Sequence, residues 1–289
     1  MLERTFRAMN TEWWIRAYGA TDRLMDEAED LIHDTEAHLS RFRDCSALGV
    51  LNRERVATDP LLAAVMRAAL DWRDATDGVF DPGVGAALVA AGYGRSFEVL
   101  EEGRSVRADS RRPCISVEGD RIVLDGEGVV DLGGIGKGWA VDRLADYLEA
   151  HGVDRYLVDG GGDLRAGPTP AVPWPVGVGD GLVAWLGPGA VATSSTARRR
   201  WTAADGTAAH HIIDTSAGLP AFRGVHTAVV AHRRATTADV LATTLIAGGV
   251  GSLGAVEVQG ADALIEDAGG AWWMTTGMEK WLDDGTSLG

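Results

Sequence analysis

Cysteine is nearly absent from this chain. Cys45 and Cys114 stand far apart and in no metal-ligand spacing, which excludes a disulfide framework and a thiolate zinc site. They read as two reduced, small apolar side chains in a reducing compartment. Long apolar runs are missing too: nowhere do about eighteen apolar residues follow one another, so no membrane insertion is expected. The opening stretch, Met1-Leu-Glu-Arg-Thr-Phe-Arg-Ala-Met9, has no apolar signal region and no cleavage site, and the expected location is cytoplasmic. Positive charge is in deficit. Against 27 Lys and Arg stand 42 Asp and Glu, a formal net charge of −15, which repels nucleic-acid phosphates and anionic lipid and makes neither an expected partner. No internal repeat, heptad run, low-complexity tract or linker is visible, so residues 1–289 are expected to form one domain. The 46% apolar content suffices for a full core.

What the chain does contain is a succession of short periodic segments. Thr5 to Tyr18 reads as a strand. From about Thr21 to Phe42, the residues Leu24, Ala28, Leu31, Ile32, Thr35 and Leu39 recur at helical spacing, which predicts a long amphipathic helix with Thr21 as N-cap. A second helix is predicted from Pro60 through Leu61, Leu62, Val65, Met66, Ala69 and Leu70 to Gly78, a residue suited to a left-handed C-terminal position. Period two then takes over in Ile115 and Val117 and in Ile122 and Leu124, around the turn Glu118-Gly119-Asp120, and predicts a hairpin. Gly133 to Gly138 open a helix with Val141, Leu144, Ala145 and Leu148 on its apolar face, closing at Gly152. A strand over 156–158 runs into Asp159-Gly-Gly-Gly-Asp163, and a proline-rich surface loop covers 167–175. Further strands are predicted at 176–178, 182–186, 211–213 and 227–231, and a last helix from Ala238 to Gly248. Hairpins and helices alternate irregularly, which fits an α+β fold better than a doubly wound parallel sheet.

Three segments can carry chemistry. Gly133-Gly-Ile-Gly-Lys137-Gly138 is a strand-to-helix turn whose backbone N–H groups would face an anion, or a merely tight turn. It is no triphosphate P-loop, since Gly138 follows Lys137. A cation in a first helical turn opposes the helix dipole unless an anion sits between them, and Lys137 therefore favours phosphate. Asp239 and Thr243 lie four residues apart on one helix face and offer hard oxygens suited to magnesium, or else Asp239 caps the helix and Thr243 is half-buried. In His210-His211-Ile-Ile-Asp214, strand alternation puts His211 and Ile213 on one face; a histidine so placed is structural or catalytic. Zinc fits poorly there, because no further ligand completes a tetrahedral set.

Taken together and in order, the segments resemble the ApbE family of flavin transferases along nearly the whole length. Met9-Asn-Thr11 is similar to its opening Met-Gly-Thr, and Leu39-Ser-Arg-Phe42 with Ser46 and Asn52 to its Leu-Ser-x-Tyr/Phe segment. Thr76-Asp-Gly-Val-Phe80-Asp81-Pro resembles its Thr-x-Gly-x-Phe-Asp-Pro turn. Asp131-Leu-Gly-Gly134-Ile-Gly-Lys137-Gly-Trp-Ala-Val-Asp142 matches its most specific motif almost letter for letter. Gly160-Gly-Gly-Asp163, Val191-Ala-Thr-Ser194, His211-Ile-Ile-Asp214 and Ala238-Asp239 to Thr243 follow in the family's order. The sequence departs from it at 214–218, where proline and a threonine hydroxyl are lost, at Gly136, which replaces a common alanine, and at Ser195, which replaces a glycine.

The resemblance implies an ApbE-like α+β layered mixed sheet with flanking helices and an FAD cleft, with Mg2+ on the FAD diphosphate. It implies metal ligation by Asp239 and Thr243 through side chains and by Gly134 and Ala242 through carbonyls. Met9, Phe42, Phe80, Asp81, Asp131 and Lys137 fall on positions that hold flavin, adenosine or diphosphate. The implied activity is transfer of FMN from FAD to a Thr or Ser hydroxyl of an acceptor protein, forming a phosphoester and releasing AMP. His211, Asp239 and Lys137 are the expected catalytic residues, with His211 as base and Asp239 as the second choice. An unperturbed imidazole titrates near pH 6.5, so the rate should rise through about that pH. The rival activities are FAD hydrolysis to FMN and AMP and non-catalytic FAD binding.

Overall fold

The computed structural model describes residues 1–95, 105–169, 173–179 and 182–282; within the loop expected at 167–175, residues 170–172 lie outside the described residues. The chain opens with β1 (Leu2–Ala8) and β2 (Thr11–Tyr18), then α1 (Asp22–Leu39), α2 (Ala47–Glu54), β3 (Val56–Thr58), α3 (Pro60–Ala75) and α4 (Gly85–Ala90). The hairpin β4 (Cys114–Glu118) and β5 (Arg121–Asp125) follows, then α5 (Gly136–Ala150), β6 (Arg155–Asp159), β7 (Asp163–Ala166), β8 (Trp174–Gly179) and β9 (Leu182–Leu186). Next come β10 (Gly189–Ser195), β11 (Arg200–Thr202), β12 (Ala208–His210), β13 (Ile213–Asp214), β14 (Leu219–Pro220) and β15 (Val225–His232). The described chain ends with α6 (Ala235–Gly248), α7 (Leu253–Val258), β16 (Asp262–Asp267), β17 (Trp272–Met274) and α8 (Glu279–Leu282).

An eight-stranded sheet in the order β1-β2-β6-β7-β10-β15-β16-β17 is the frame of this α+β fold. Every pairing in it is antiparallel. Alternate residues of its central strands serve two cores. Ala192, Ala228, Val230, Ala263 and Ile265 pack against α6, whereas Val191, Val229, Ala231 and Leu264 pack with Trp174, Val176 and Leu186 of the β8–β9 ribbon. Helices therefore cover one face and a β-ribbon the other. Helix α1, capped as expected by Thr21 through its hydroxyl to Leu24 N at 3.2 Å, joins α5 and the first hairpin in a further cluster around Trp13, Ile15 and Leu144. No helix among the described residues is long and apolar enough to cross a membrane.

Three local expectations are corrected. The single strand from Thr5 to Tyr18 is a hairpin, because Met9 and Asn10 take φ of 52° and 58° and form its two-residue turn, the left-handed pair that the twist of a hairpin requires. The strand expected at 211–213 breaks at a bend at His211, so His211 lies between β12 and β13 rather than on a pleated face. Helix α6, expected from Ala238, begins at Ala235.

Candidate functional site

The N-terminal turns of α5 and α6 hold each other in place. Neither helix is capped by its own N-cap side chain. Asp142, on α5 and 2% exposed, accepts hydrogen bonds from Ala235 N and Thr236 N, both at 2.9 Å, and from the Thr236 hydroxyl at 2.6 Å. It thus caps α6 from outside, a favourable place for a carboxylate at a helix N-terminus. Asp239, on α6 and 3% exposed, returns the contact by accepting from Gly138 N of α5 at 3.0 Å. It stands in the second turn of its own helix and caps the neighbouring one, which replaces the expectation of a cap on α6. The approach is close enough to require glycine: a Cβ on Gly138 would lie 2.5 Å from Ala235 O and 2.8 Å from Asp239 Cβ.

Lys137 leaves α5 one residue earlier and donates to Asp163, with Asp239 Oδ1 at 3.9 Å. Burial alone would lower its pKa, but Asp163 and Asp239 outweigh it and hold the ammonium protonated. Burial, and then the Asp239 charge, push the Asp163 carboxyl up against the pull of Lys137. One ammonium thus serves two carboxylates, and its charge is spent inside the protein.

In front of this junction lies a cleft lined by Met9, Phe42, Phe80, Asp81, Asp131, Gly134, Lys137, His211 and Thr243, nine of the positions expected from the sequence. Asp239 reaches it through Lys137 and Gly138, and Ala242 is fully buried in the core beneath α6. Each lining residue is placed by its own local device. Met9 sits in the β1–β2 turn. Phe80 and Asp81 follow a turn in which Asp77 and Gly78 take φ of 49° and 75°, and the Thr76 hydroxyl accepts from Phe80 N at 3.1 Å. Asn52 of α2 clamps Val130 through both its N–H and its carbonyl, at 2.8 and 2.9 Å, fixing the run into Asp131. Asp131 accepts from Gly133 N at 2.7 Å and Asp81 from Gly83 N at 2.7 Å.

Three further residues of the wall, and Arg112 behind Asp81, carry interactions that sequence reasoning gave no role. Arg41 donates to Asp131 and to Tyr93 O and stacks 4.2 Å over the Phe42 ring. Tyr93 meets Phe42 edge-on at 5.6 Å and stacks on Trp201 at 5.8 Å. Arg112 donates to Asp81 at 3.1 Å and to Thr215 O. Arg199 faces the cleft beside His211. Arg41 lay inside a quoted motif, but neither periodicity nor spacing points to the other three. The His211 ring packs edge-on to Tyr93 at 6.4 Å, and its Nδ1 is buried with no hydrogen-bond partner. Burial, and next the Arg199 charge, hold its pKa well below the usual imidazole value, which moves the expected titration to lower pH. Among the described residues no three His, Cys, Asp or Glu side chains cluster as a metal cage; the expected donor set has one carboxylate, one hydroxyl and carbonyls.

The cleft thus lies where two helix N-termini meet on a layered α+β frame. The family model described as the ApbE family matches residues 9–265, and the chain belongs to that family. It is similar to the FAD:protein FMN transferase of Treponema pallidum, 33% identical over 83% of this chain and 76% of that protein. It is similar to the one from Vibrio cholerae at 31%, over 78% and 71% of the two chains. Among solved structures, the ApbE protein of Thermotoga maritima superposes with a TM-score of 0.86 at 27% identity, covering 98% of this chain and 99% of that one.

Proposed function

We propose that this protein is a magnesium-dependent FAD:protein FMN transferase. The observation that carries this reading is the convergence of the α5 start and Thr243 on one cleft, with Asp239 bonded to Gly138 N directly behind it, in a chain whose relatives bear that activity in their names. The first-turn N–H groups of α5 and its dipole suit a diphosphate. The faces and edges of Phe42, Phe80 and Tyr93 suit planar rings, and Met9, Asp81 and Asp131 complete the contacts to flavin, adenosine or diphosphate. Asp239 and Thr243, with the Gly134 and Ala242 carbonyls, form a hard-oxygen set with few protein ligands, as magnesium prefers when phosphates complete its shell. The surroundings fit it. A Cβ on Gly134 would stand 3.1 Å from Thr243 Cγ2 and 3.4 Å from Thr243 Oγ1, so glycine keeps that gap open, and among the described residues the Thr243 hydroxyl has only a 3.4 Å contact with Ser194 Oγ. Bound there, the metal would withdraw charge from phosphate oxygens.

In the proposed reaction the acceptor protein's Ser or Thr hydroxyl oxygen bonds to the FMN-side phosphorus. The bond from that phosphorus to the bridging oxygen breaks, and AMP leaves with the oxygen. The hydroxyl proton passes to His211, which lines the cleft. Lys137 holds Asp163 and steadies Asp239 beside the metal position. The exposed, unpaired Cys45 and Cys114 suit a reducing cytoplasm. The test is mass spectrometry of an FMN-binding acceptor domain incubated with the protein, FAD and magnesium. A gain of one FMN on a Ser or Thr, with equimolar AMP, is the expected result. Free FMN alone with every acceptor tried would replace the transferase with a hydrolase, and intact FAD would leave a binding protein.

A further inference from the structure

Among the described residues, three cationic side chains line the cleft, Arg41, Lys137 and Arg199. Two of them are engaged: Arg41 with Asp131 and Lys137 with Asp163. The Arg199 guanidinium has no hydrogen-bond or ion-pair partner among the described residues. Its backbone takes φ of 50°, the left-handed region that a residue with a Cβ occupies only where its surroundings hold it there. Arg199 occurs in the turn between β10 and β11. Its neighbours Arg198 and Arg200 are exposed, whereas Arg199 itself is half-buried in the cleft wall. The charge acts across the cleft: after burial, it is the strongest influence holding His211 below its usual value, and it opposes the burial-driven rise at Tyr93. A cation half out of water without a partner is costly unless an anion arrives. The guanidinium fork is shaped for phosphate oxygens, two at a time.

We propose that Arg199, rather than Lys137, is the side chain that contacts the diphosphate of the ligand. Lys137 then serves the internal carboxylates, and Arg199 recognises the anionic bridge and bears on the charge of the departing phosphate. This rests on the transferase reading only for the identity of the ligand as a dinucleotide. The experiment measures binding of ADP and of riboflavin by calorimetry, in magnesium buffer, to the unmodified protein, Arg199→Gln and Arg199→Lys. ADP should bind Arg199→Gln about 10- to 100-fold more weakly, as for a lost charge-assisted fork, with Arg199→Lys between the two. Riboflavin, which has no phosphate, should bind all three alike. Equal ADP affinity in all three proteins, equal loss of both ligands, or no ADP binding by the unmodified protein would each overturn the proposal. Selective loss of ADP in a protein that moves no FMN to any acceptor would instead sink the transferase and keep the anion site.

Discussion

Gly138→Ala tests whether the mutual capping of α5 and α6 sets the site geometry. The added methyl would meet Ala235 O at 2.5 Å and Asp239 Cβ at 2.8 Å. The first of these is backbone and cannot turn aside. To restore a contact of 3.0 to 3.4 Å, the two helix starts must part by about 0.5 to 0.9 Å. That displacement stretches the 3.0 Å bond from Gly138 N to Asp239. Overpacking of this kind costs about 1 to 3 kcal/mol, and a weakened bond to a buried carboxylate adds about 1 kcal/mol or more. The better helix propensity of alanine returns about 0.5 to 1 kcal/mol. The balance is a net loss of about 1 to 3 kcal/mol, or a fall in Tm of roughly 2 to 10 °C for a chain of this size. Function should suffer more, since a misplacement near 1 Å costs about 100-fold in rate. The assay is a thermal melt beside a magnesium titration of FMN transfer. Gly136→Ala serves as the stability control, because its Cβ meets only Met9 Cε at 3.7 Å, an ordinary contact. An unchanged Tm and unchanged magnesium dependence in Gly138→Ala would refute the argument.

Asp142→Asn should lower stability by about 1 to 2 kcal/mol through the weakened cap, and shift the magnesium titration because α6 carries Asp239; a melt with no change in magnesium dependence would make Asp142 structural only. Lys137→Ala leaves Asp163 and Asp239 buried without their ammonium, at a cost of about 3 to 5 kcal/mol, and riboflavin and ADP binding should fall together, whereas loss of ADP alone would restore Lys137 as the phosphate ligand. His211→Ala should slow transfer about 100- to 10,000-fold. Because the imidazole pKa is depressed, the base is neutral above that low value and is lost only as pH falls through it, so the parent's rate should show no His211 inflection near about pH 6.5; an inflection there that vanishes in the variant would contradict this.

The sequence made some elements readable because their signals are local. Thr21 ahead of an amphipathic run gives α1, and turn chemistry at Glu118-Gly119-Asp120 gives the β4–β5 hairpin. Elements whose signals are tertiary stayed hidden. The Met9–Asn10 turn holds no glycine, so nothing local announced the reversal between β1 and β2. The first four residues of β10 are all buried, and a strand covered on both faces shows no alternation to find. The start of α6 was misplaced because its cap, Asp142, stands 93 residues away. The cleft residues were legible through motif resemblance, and nine of them do line one space. Arg41 and Arg199 were not, because what separates them is whether a carboxylate lies opposite, and only the fold decides that.

That distinction bears on how an acidic chain can hold a diphosphate. Two charges four ångströms apart interact by about 4 kcal/mol at a near-surface effective dielectric, so each unscreened carboxylate in the cleft would repel the ligand strongly. Four are matched by direct contacts: Glu36 by Arg43, Asp81 by Arg112, Asp131 by Arg41 and Asp163 by Lys137. Among the described residues, two charges are left without a close partner of their own, Asp239, 3.9 Å from the shared ammonium, and the cationic Arg199. They are opposite in sign, and with His211 neutral the cleft sums to no net charge. A diphosphate bridge bearing two negative charges would enter it without compensation. In the proposed reading, a divalent cation at Asp239 supplies the missing charge and Arg199 meets the phosphate oxygens. Magnesium and FAD should accordingly bind with positive cooperativity, each raising the affinity for the other by the same factor. Calorimetric titration of FAD with and without magnesium reads that factor directly, and equal affinities in the two buffers would contradict the charge argument.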